Sequence, residues 1–440
     1  MDATALGTNT LTLSGSAAET VNNLTGNVVV SGAATIAVNA TGSGAQSVTT
    51  GTGATTITDN GSGVMTVNNA NAKGSARTLT LSGSAAETVT SLAQNLAASG
   101  VTGALNVTTS TNALSIATGT GANTINAGAM TGALTLTGAN AATVTALGGN
   151  LTATGDSGPL TVTTTGGKQT VTAGSGNILI TDQSTGVLTV NATALAAAST
   201  LTLTGAGAAT VTGLKGSLIA TGDSGALTVT ANGTGQTVTT GSGNMSIADS
   251  TSALAVNATA LSASDTLTLS GSTAKTVTNL IGNVVASGAG PITVNATGSG
   301  QSITTGTGAD TITAANGGDT IHGGGGADNI NVSGHTTADS FTYSATTDSR
   351  NTTTGHDTIT GFGTNDLLDF SSLNPTLHIG TLQTAGSQIA ADTIAWVNLG
   401  ASGMGAYVND TAGALATTNA NLMEITLAGA SSLSASNFRA

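Results

Sequence analysis

The sequence of 440 residues has no cysteine, only 3 prolines, and few aromatic side chains, which make up 2% of it. Without cysteine, disulfide bonds play no part in its stability. So few aromatic rings also exclude a thick core of large side chains. What remains is a thin core of Val, Leu, Ile and Ala, which is typical of solenoids, where short units stack repeatedly.

Charge is scarce as well: charged residues are 6% of the chain, against roughly 25% in an average globular domain. The net charge of -13 arises from 20 acidic and 7 basic residues. No basic stripe is present that could neutralise phosphates, so nucleic acid is excluded as a partner. The acidic residues are denser after residue 300, where calcium ligands would be expected.

Long apolar runs are missing too. No stretch of 18 or more apolar residues occurs, so we predict no transmembrane segment. The N-terminal sequence MDATALGTNT has no basic region and no long apolar run, which predicts that it is not a Sec signal peptide. An exported protein of this kind would carry its signal elsewhere.

The chain contains five long repeats, each opening on a version of LTLSGSAAETVNNL. They start at Leu11, Leu79, Leu134, Leu201 and Leu267. Within each copy, apolar centres recur at steps of 8 to 10 residues, with Gly, Asn, Asp and Ser between them. The repeat therefore contains short segments separated by turns.

The apolar centres alternate with threonine, as in LTL, LTV and TIT, which predicts strands with one face turned inward. Threonine and glycine both disfavour long helices. We predict an all-β chain: a parallel β-solenoid or β-roll of stacked short strands, with a small β-rich C-terminal segment. The repeat pattern leaves open whether each coil has two or three sides.

A period of nine residues marks the segment GTGADTITAANGGDTIHGGGGADNINV (306–332). Its aspartates are nine apart, and so are its isoleucines at 312, 321 and 330. Glycine turns expose backbone carbonyls and one carboxylate per turn adds charge, which suits calcium, an ion that takes 6–8 oxygen ligands. The alternative is a Gly/Asp-rich loop with solvated carboxylates. The predicted calcium ligands are Asp310, Asp319, Asp328, Asp339, Gly306, Gly308, Gly317, Gly324 and Gly326.

We expect Asp310 and Asp328 on one side of the coils, and Asp319 with Asp339 on the other. Earlier copies keep the turn glycines but lose the carboxylate: Thr55 and Asn123 stand where Asp310 stands in the alignment. We therefore predict that the coils before residue 300 keep the backbone path and mostly bind no calcium. The aspartates that follow strands at Asp59, Asp182 and Asp249 are interpreted as turn caps, with calcium ligation as the alternative.

The segment Gly306–Tyr343 resembles RTX β-rolls, and Ser340–Asn374 is similar to the segment that follows such rolls in proteins exported by type I secretion. The ending LMEITLAGASSLSASNFRA (Leu422–Ala440) is similar to the terminus of such surface proteins. The resemblance implies calcium, an ABC-type exporter as partner, and an extracellular location on the cell surface of a Gram-negative bacterium. We divide the chain into degenerate solenoid repeats (1–305), calcium-binding nonapeptides (306–341) and a secretion or capping segment (342–440).

No catalytic constellation is visible. The sequence GDSGP (Gly155–Pro159) is similar to a serine protease nucleophile loop, but GDSGA (Gly222–Ala226) repeats it in register with the long repeat, so a duplicated turn explains both. The four histidines lie in the last third without triad spacing, and no HExxH motif occurs. We predict that the protein is not an enzyme.

Composition then suggests a function. The Thr/Ala/Gly repeats resemble bacterial RTX surface-layer (S-layer) and adhesin proteins only in composition. We expect a secreted structural protein that self-assembles on the cell surface as an S-layer or filament, with calcium promoting folding and assembly. Its partners would be further copies of itself and a cell-surface polysaccharide as anchor. The alternative is a monomeric RTX adhesin or matrix-binding protein.

Overall fold

The structure is a computed structural model that describes residues 1–72, 77–352 and 354–440. It contains two compact units, Met1–Leu218 and Ile219–Ala440. Both are built almost entirely of short strands joined by tight turns. Within the described ranges, no helix has the length and apolarity needed to span a membrane.

The first unit is a parallel β-solenoid. Each strand pairs in parallel with the next strand but one, so that odd-numbered and even-numbered strands form two separate sheets. Each coil therefore has two sides, which settles the question that the repeat pattern left open. The strands are β1 (Thr10–Leu13), β2 (Glu19–Leu24), β3 (Asn27–Val30), β4 (Ile36–Ala40), β5 (Gln46–Thr49), β6 (Thr55–Asp59), β7 (Met65–Asn68), β8 (Thr78–Gly83), β9 (Glu87–Leu92), β10 (Asn95–Val101), β11 (Leu105–Thr109), β12 (Leu114–Ala117), β13 (Asn123–Asn126), β14 (Leu134–Gly138), β15 (Ala142–Leu147), β16 (Leu151–Asp156), β17 (Leu160–Thr164), β18 (Gln169–Thr172), β19 (Ile178–Asp182), β20 (Leu188–Asn191), β21 (Thr200–Gly205) and β22 (Ala209–Leu214).

The core of this unit is a set of apolar ladders between the two sheets. Each inward position of one coil stacks on the same position of the next, because the strands are in register. One ladder in the odd-numbered sheet is formed by Val28, Val48, Val67, Val89, Val107, Ile125, Val144, Val162, Ile180 and Leu203. All are buried. Stacked identical rungs let small aliphatic side chains fill a core without large rings.

The long repeats share a backbone irregularity that the sequence pattern did not predict. Near the end of its second strand, each copy has a residue with positive φ: Asn23, Ser91, Ala146, Gly213 or Asn279. The strand register shifts at this point in several copies, as between Val21 and Leu24. A bulge of this kind lets the strand end with its last apolar residue turned back into the core.

The second unit continues with short strands and the same pairing rule. They are β24 (Leu227–Ala231), β25 (Thr237–Thr239), β26 (Met245–Asp249), β27 (Leu254–Asn257), β28 (Thr266–Ser270), β29 (Lys275–Leu280), β30 (Asn283–Ala286), β31 (Ile292–Ala296), β32 (Ser302–Thr304), β33 (Thr311–Ala314), β34 (Thr320–His322), β35 (Asn329–Asn331), β36 (Ser340–Thr342), β37 (Asp357–Thr360) and β38 (Leu367–Asp369). The strand β23 (Ser217–Asp223) contains the boundary between the units. From β24 to β38, each recorded pairing is again parallel and joins a strand to the next but one.

The C-terminal segment closes the second unit with a mixture of parallel and antiparallel strand pairs. It comprises β39 (His378–Gln383), β40 (Gln388–Ile389), β41 (Thr393–Asn398), β42 (Met404–Asn409), β43 (Leu415–Ala416), β44 (Met423–Ala428) and β45 (Phe438–Arg439), with short 3₁₀ helices at Gly400–Ser402 and Ala435–Asn437. Strands β44 and β45 add to the edges of β37 and β38, which protects the last coil from open strand edges.

All seven aromatic residues of the chain lie after residue 340, and three of them, Trp396, Tyr407 and Phe438, are in this C-terminal segment. Trp396 stacks on Phe438, with ring centroids 5.0 Å apart, and Tyr407 lies in a small core with Ile389, Val397 and Leu422. The predicted fold class, an all-β parallel solenoid with a small β-rich C-terminal segment, is confirmed.

Candidate metal centre

Three aspartates form a first ladder along one side of the second unit. Asp310 and Asp328 directly precede β33 and β35, and Asp357 begins β37. In each, one carboxylate oxygen, Oδ1, accepts a hydrogen bond from the backbone N–H of the rung before: from Ile292 to Asp310 (2.7 Å), from Asp310 to Asp328 and from Asp328 to Asp357 (both 2.9 Å). The carboxylates thus tie successive coils together.

A second ladder of the same design runs along the other side. Asp319 and Asp339 precede β34 and β36, and Asp366 precedes β38. Their Oδ1 atoms accept from the N–H of Gln301 (2.7 Å), Asp319 and Asp339 (both 2.9 Å). The structure therefore brings Asp310 together with Asp328, and Asp319 together with Asp339. Their role as metal ligands stays a prediction.

Asp357 and Asp366 belong to these ladders, although sequence reasoning placed them only in the segment after the roll. The loops before them lengthen the separation from the previous rung to 29 and 27 residues, against 18 between Asp310 and Asp328, so the spacing of two nine-residue periods per coil is lost. A signal was present nonetheless. Both residues open segments, DTIT and DLLD, with the aspartate-x-apolar order of the nonapeptides.

In five of the six ladder aspartates, the second carboxylate oxygen has no hydrogen-bond partner among the described residues, whereas in Asp366 it accepts the N–H of Gly363. In Asp310, Asp319, Asp328, Asp339 and Asp357, Oδ2 is buried and makes no hydrogen bond with any residue that the structure describes. A Cβ on Gly323 would collide with Oδ2 of Asp328, so this oxygen lies against the start of its own glycine turn. Buried carboxylate oxygens without a hydrogen-bond partner, next to glycine turns, are oxygen ligands of the kind that calcium takes.

The raised pKa values of these aspartates also favour a bound cation. Burial raises the pKa of the Asp310 and Asp319 carboxyls above the usual value. The pKa of Asp328 rises to about 9 through burial and the neighbouring Asp357 carboxylate, and burial raises those of Asp357 to about 8 and of Asp339 to about 6. Ionised carboxylates are therefore costly here unless a cation or a proton neutralises them.

The predicted turn glycines are positions where coils touch. A Cβ on Gly306 would collide with the carbonyl oxygen of Gly288, and one on Gly324 with that of Gly306. Gly308 and Gly326 stack in the same way, and Gly317 has φ of 77°. Glycine is thus required for the close stacking that lines up the turn carbonyls.

Both ladders end, towards the N-terminus, in a side chain that donates hydrogen bonds to turn carbonyls. Lys275 stands two rungs before Asp310, and its Nζ donates to the carbonyl oxygens of Gly271 (3.2 Å) and Thr273 (3.0 Å). Gln301 stands one rung before Asp319, and its Nε2 donates to Leu280 (3.0 Å) and Gly282 (2.7 Å). In these rungs the chain's own N–H groups satisfy carbonyls that a cation would otherwise bind.

Turns in the first unit use similar donors. Asn123, which stands where Asp310 stands in the alignment, donates through Nδ2 to the carbonyl of Gly121 (2.8 Å). Gln169 donates to the carbonyls of Leu147 (2.6 Å) and Gly149 (2.9 Å). The aspartates interpreted as turn caps each accept a hydrogen bond from the backbone two residues on, such as Gly61 to Asp59 (2.9 Å).

Sequence reasoning did not identify Glu87, a buried acidic residue in the first unit. Glu87 begins β9 at an inward position, and neither of its oxygens has a hydrogen-bond partner among the described residues. Burial, helped by the nearby carboxylate of Asp59, raises its pKa to about 8. Alignment of the long repeats could have singled out Glu87, since two other copies have alanine at this position, Ala142 and Ala209.

Stacked parallel coils with two ladders of buried carboxylates define a calcium-binding β-roll. Comparison with known families agrees: residues 297–333 and 348–377 match the RTX calcium-binding nonapeptide repeat, in 4 copies. These two segments of the chain therefore contain RTX-type calcium-binding repeats. The matched segments contain five of the six ladder aspartates, including Asp357 and Asp366. No curated protein is similar enough in sequence to count as a relative.

Proposed function

We propose that this protein is a secreted structural protein that self-assembles on the outer surface of a Gram-negative bacterium, as an S-layer or filament. Calcium would promote folding and assembly by binding the native roll and not the unfolded chain. An ABC-type exporter would carry it across the envelope, as for RTX proteins with type I secretion signals, and a cell-surface polysaccharide would anchor it.

The observation that carries this proposal is the position of the charges. Thirteen of the 20 acidic residues are buried in the described structure: six between Asp59 and Asp249, and seven between Asp310 and Asp366. The net charge of -13 therefore lies mostly inside, and the outer faces carry Thr, Ser, Asn and Ala. A surface so poor in charge lacks the like-charge repulsion that keeps proteins apart.

The first coil adds a feature that favours association. Within the described part of the chain, β1 pairs only with β3, so its other edge offers free backbone groups. Beside it opens a recess of mixed character, lined by Leu13, Val30 and Ala34 together with Ser14, Ser16 and Glu19. Unpaired strand edges favour strand addition by another molecule.

Electron microscopy of the purified full chain, with calcium and with chelator, tests the proposal. We expect ordered sheets or filaments with calcium and their loss with chelator or in the double variant Asp310→Ala, Asp328→Ala. Assembly that is indifferent to both would contradict the role of calcium. Discrete monomeric particles under all conditions would favour the adhesin or matrix-binding alternative.

A second experiment tests the role of the uncharged surface. Thr124 and Thr228 are exposed positions on strands. The variant Thr124→Glu, Thr228→Glu, which makes the net charge more negative, should assemble more slowly than the unmodified chain, whereas the matched variant Thr124→Ser, Thr228→Ser should not differ from it. Light scattering follows assembly, and circular dichroism confirms that both variants fold. Equal rates for both variants would refute the argument from charge.

A further inference from the structure

A histidine joins the second carboxylate ladder at its C-terminal end. His335 lies in the loop between β35 and β36, and its ring meets Asp339 and Asp366. One ligand atom from each of the three residues lies within 4.8 Å of the others. Both aspartate side chains are fully buried, and that of His335 is 11% exposed. At this rung an imidazole nitrogen therefore lies beside the carboxylate oxygens.

The hydrogen bonds of His335 fix which nitrogen is available. Its Nδ1 lies 2.6 Å from the carbonyl oxygen of Val332, and a carbonyl only accepts, so Nδ1 carries the hydrogen and donates it. In the neutral ring, the lone pair is then on Nε2. A backbone carbonyl that holds the other ring nitrogen in this way is the usual support of a metal-binding histidine.

The lone pair of Nε2 faces an anion. Oδ1 of Asp366 lies 3.2 Å from it, and that oxygen also accepts the N–H of Asp339 (2.9 Å). Oδ2 of Asp366 accepts the N–H of Gly363 (2.7 Å), so the carboxylate is held in place. Two electron-rich atoms at this distance repel each other unless a proton or a metal ion is shared between them.

Asp339 supplies a third group. Its Oδ1 is used by the N–H of Asp319, but its Oδ2 is buried and has no hydrogen-bond partner in the described ranges. This oxygen lies 3.7 Å from Nδ1 of His335. A buried carboxylate oxygen without a hydrogen-bond partner, beside the imidazole, completes a set of three residues whose ligand atoms lie within 4.8 Å of one another.

We propose that His335, Asp339 and Asp366 form a binding site for a divalent first-row transition metal ion, with Zn²⁺ as the probe ion, separate from the oxygen-only calcium rungs. Imidazole with carboxylates suits zinc and its neighbours, whereas calcium takes oxygen ligands. A recess lined by Thr336, Thr337 and Asn365 opens beside the cluster and leaves room for a water molecule as a further ligand. The proposal assigns Asp339 to this mixed site.

The test uses the full chain saturated with calcium and freed of other metals. Calorimetric titration with ZnCl₂ should show one site that millimolar calcium does not abolish. His335→Ala should weaken this site by at least about tenfold. His322→Ala is the matched control, because Nδ1 of His322 also contacts a backbone carbonyl (Thr342, 2.7 Å) but no carboxylate pair. The control variant should bind zinc like the unmodified chain.

Spectroscopy on the unmodified chain keeps the test independent of any folding defect in His335→Ala. Co²⁺ in place of zinc should give visible absorption bands of a nitrogen-containing site, and long-range ¹H–¹⁵N correlations should show Zn²⁺ on Nε2 of His335. The proposal is overturned if zinc binding is unchanged in His335→Ala, or if calcium displaces zinc at equal concentration. It is also overturned if the His335 ring stays doubly protonated at pH 8 with zinc present, since the cluster would then be an ion pair alone.

Discussion

Replacing Asp328 by asparagine should change the stability of the second unit in opposite directions with and without calcium. Asparagine has nearly the same shape, and its amide oxygen can still accept the N–H of Asp310, so the ladder hydrogen bond is kept. The charge is lost. In the absence of calcium, the native protein must keep the Asp328 carboxyl protonated or bear a buried charge, whereas the unfolded chain ionises it freely.

The size of the effect follows from the pKa of Asp328, which burial and Asp357 raise from 3.8 to about 9. A raised pKa in the folded state favours folding below pH 3.8, and this contribution is lost as the pH rises towards 9. Each pH unit in this window costs about 1.4 kcal/mol. At pH 7 the cost is thus at most about 4 kcal/mol, and Asp328→Asn should recover part or all of it in chelator.

With calcium present, we expect the native chain to be more stable than Asp328→Asn. An ion at a concentration 100 times its dissociation constant stabilises the native state by about 2.7 kcal/mol, and the variant would lose this gain at the affected rung. Urea unfolding, followed by fluorescence of the single tryptophan, Trp396, reports on this unit. Asp265→Asn, outside the ladders, is the control. A variant that is less stable than the native chain in chelator at pH 7, or gains equally from calcium, would refute the reasoning.

Three further changes test the coils. Gly324→Ala should destabilise the roll by at least about 2 kcal/mol, because its Cβ would collide with the carbonyl of Gly306 at a φ of 81°, whereas Gly325→Ala, with no atom within 3.7 Å of its Cβ, should be tolerated in the same urea assay. Lys275→Met should cost about 1–3 kcal/mol by leaving two turn carbonyls unpaired, and the loss should be equal with calcium and with chelator. Burial raises the pKa of Glu87 from 4.5 to about 8, so Glu87 should add about 3 kcal/mol at pH 7 to the stability that the native chain loses as the pH rises. Glu87→Gln should reduce the loss by this amount in circular dichroism melts, and an unchanged pH profile would show that Glu87 does not contribute to it.

The sequence was sufficient for the strands because their period is local. Apolar residues that alternate with threonine, such as Leu203 and Val211, mark inward positions whatever the cross-section. The number of sides per coil was not predictable, because it depends on which strands pair, and pairing is non-local. The positive-φ bulge was visible in part: Asn23 and Gly213 are residue types that favour it, but Ser91 and Ala146 are not.

The candidate site was likewise predictable from the sequence only in part. The nine-residue period was enough to bring Asp310 with Asp328, because one coil is two periods. Asp319 and Asp339 are 20 residues apart, so the period alone did not give this pair, although both were assigned to the same side. It failed for Asp357 and Asp366, since loops of irregular length precede them and only three-dimensional stacking restores the register. The hydrogen bonds of Lys275 to turn carbonyls were equally out of reach, because a single lysine in a repeat gives no sign that it points inward.

The aspartate ladders also have a mechanical consequence. Their hydrogen bonds join each coil to the one before it, so they lie along the direction in which the coils between Ile292 and Asp366 stack. Tension along that direction loads the rungs in series, and the weakest rung sets the rupture force. An ion held between rungs acts as a crosslink against peeling. The force that this stretch can bear would then depend on the calcium concentration around it, which makes the roll a load-bearing element whose strength the surrounding medium controls.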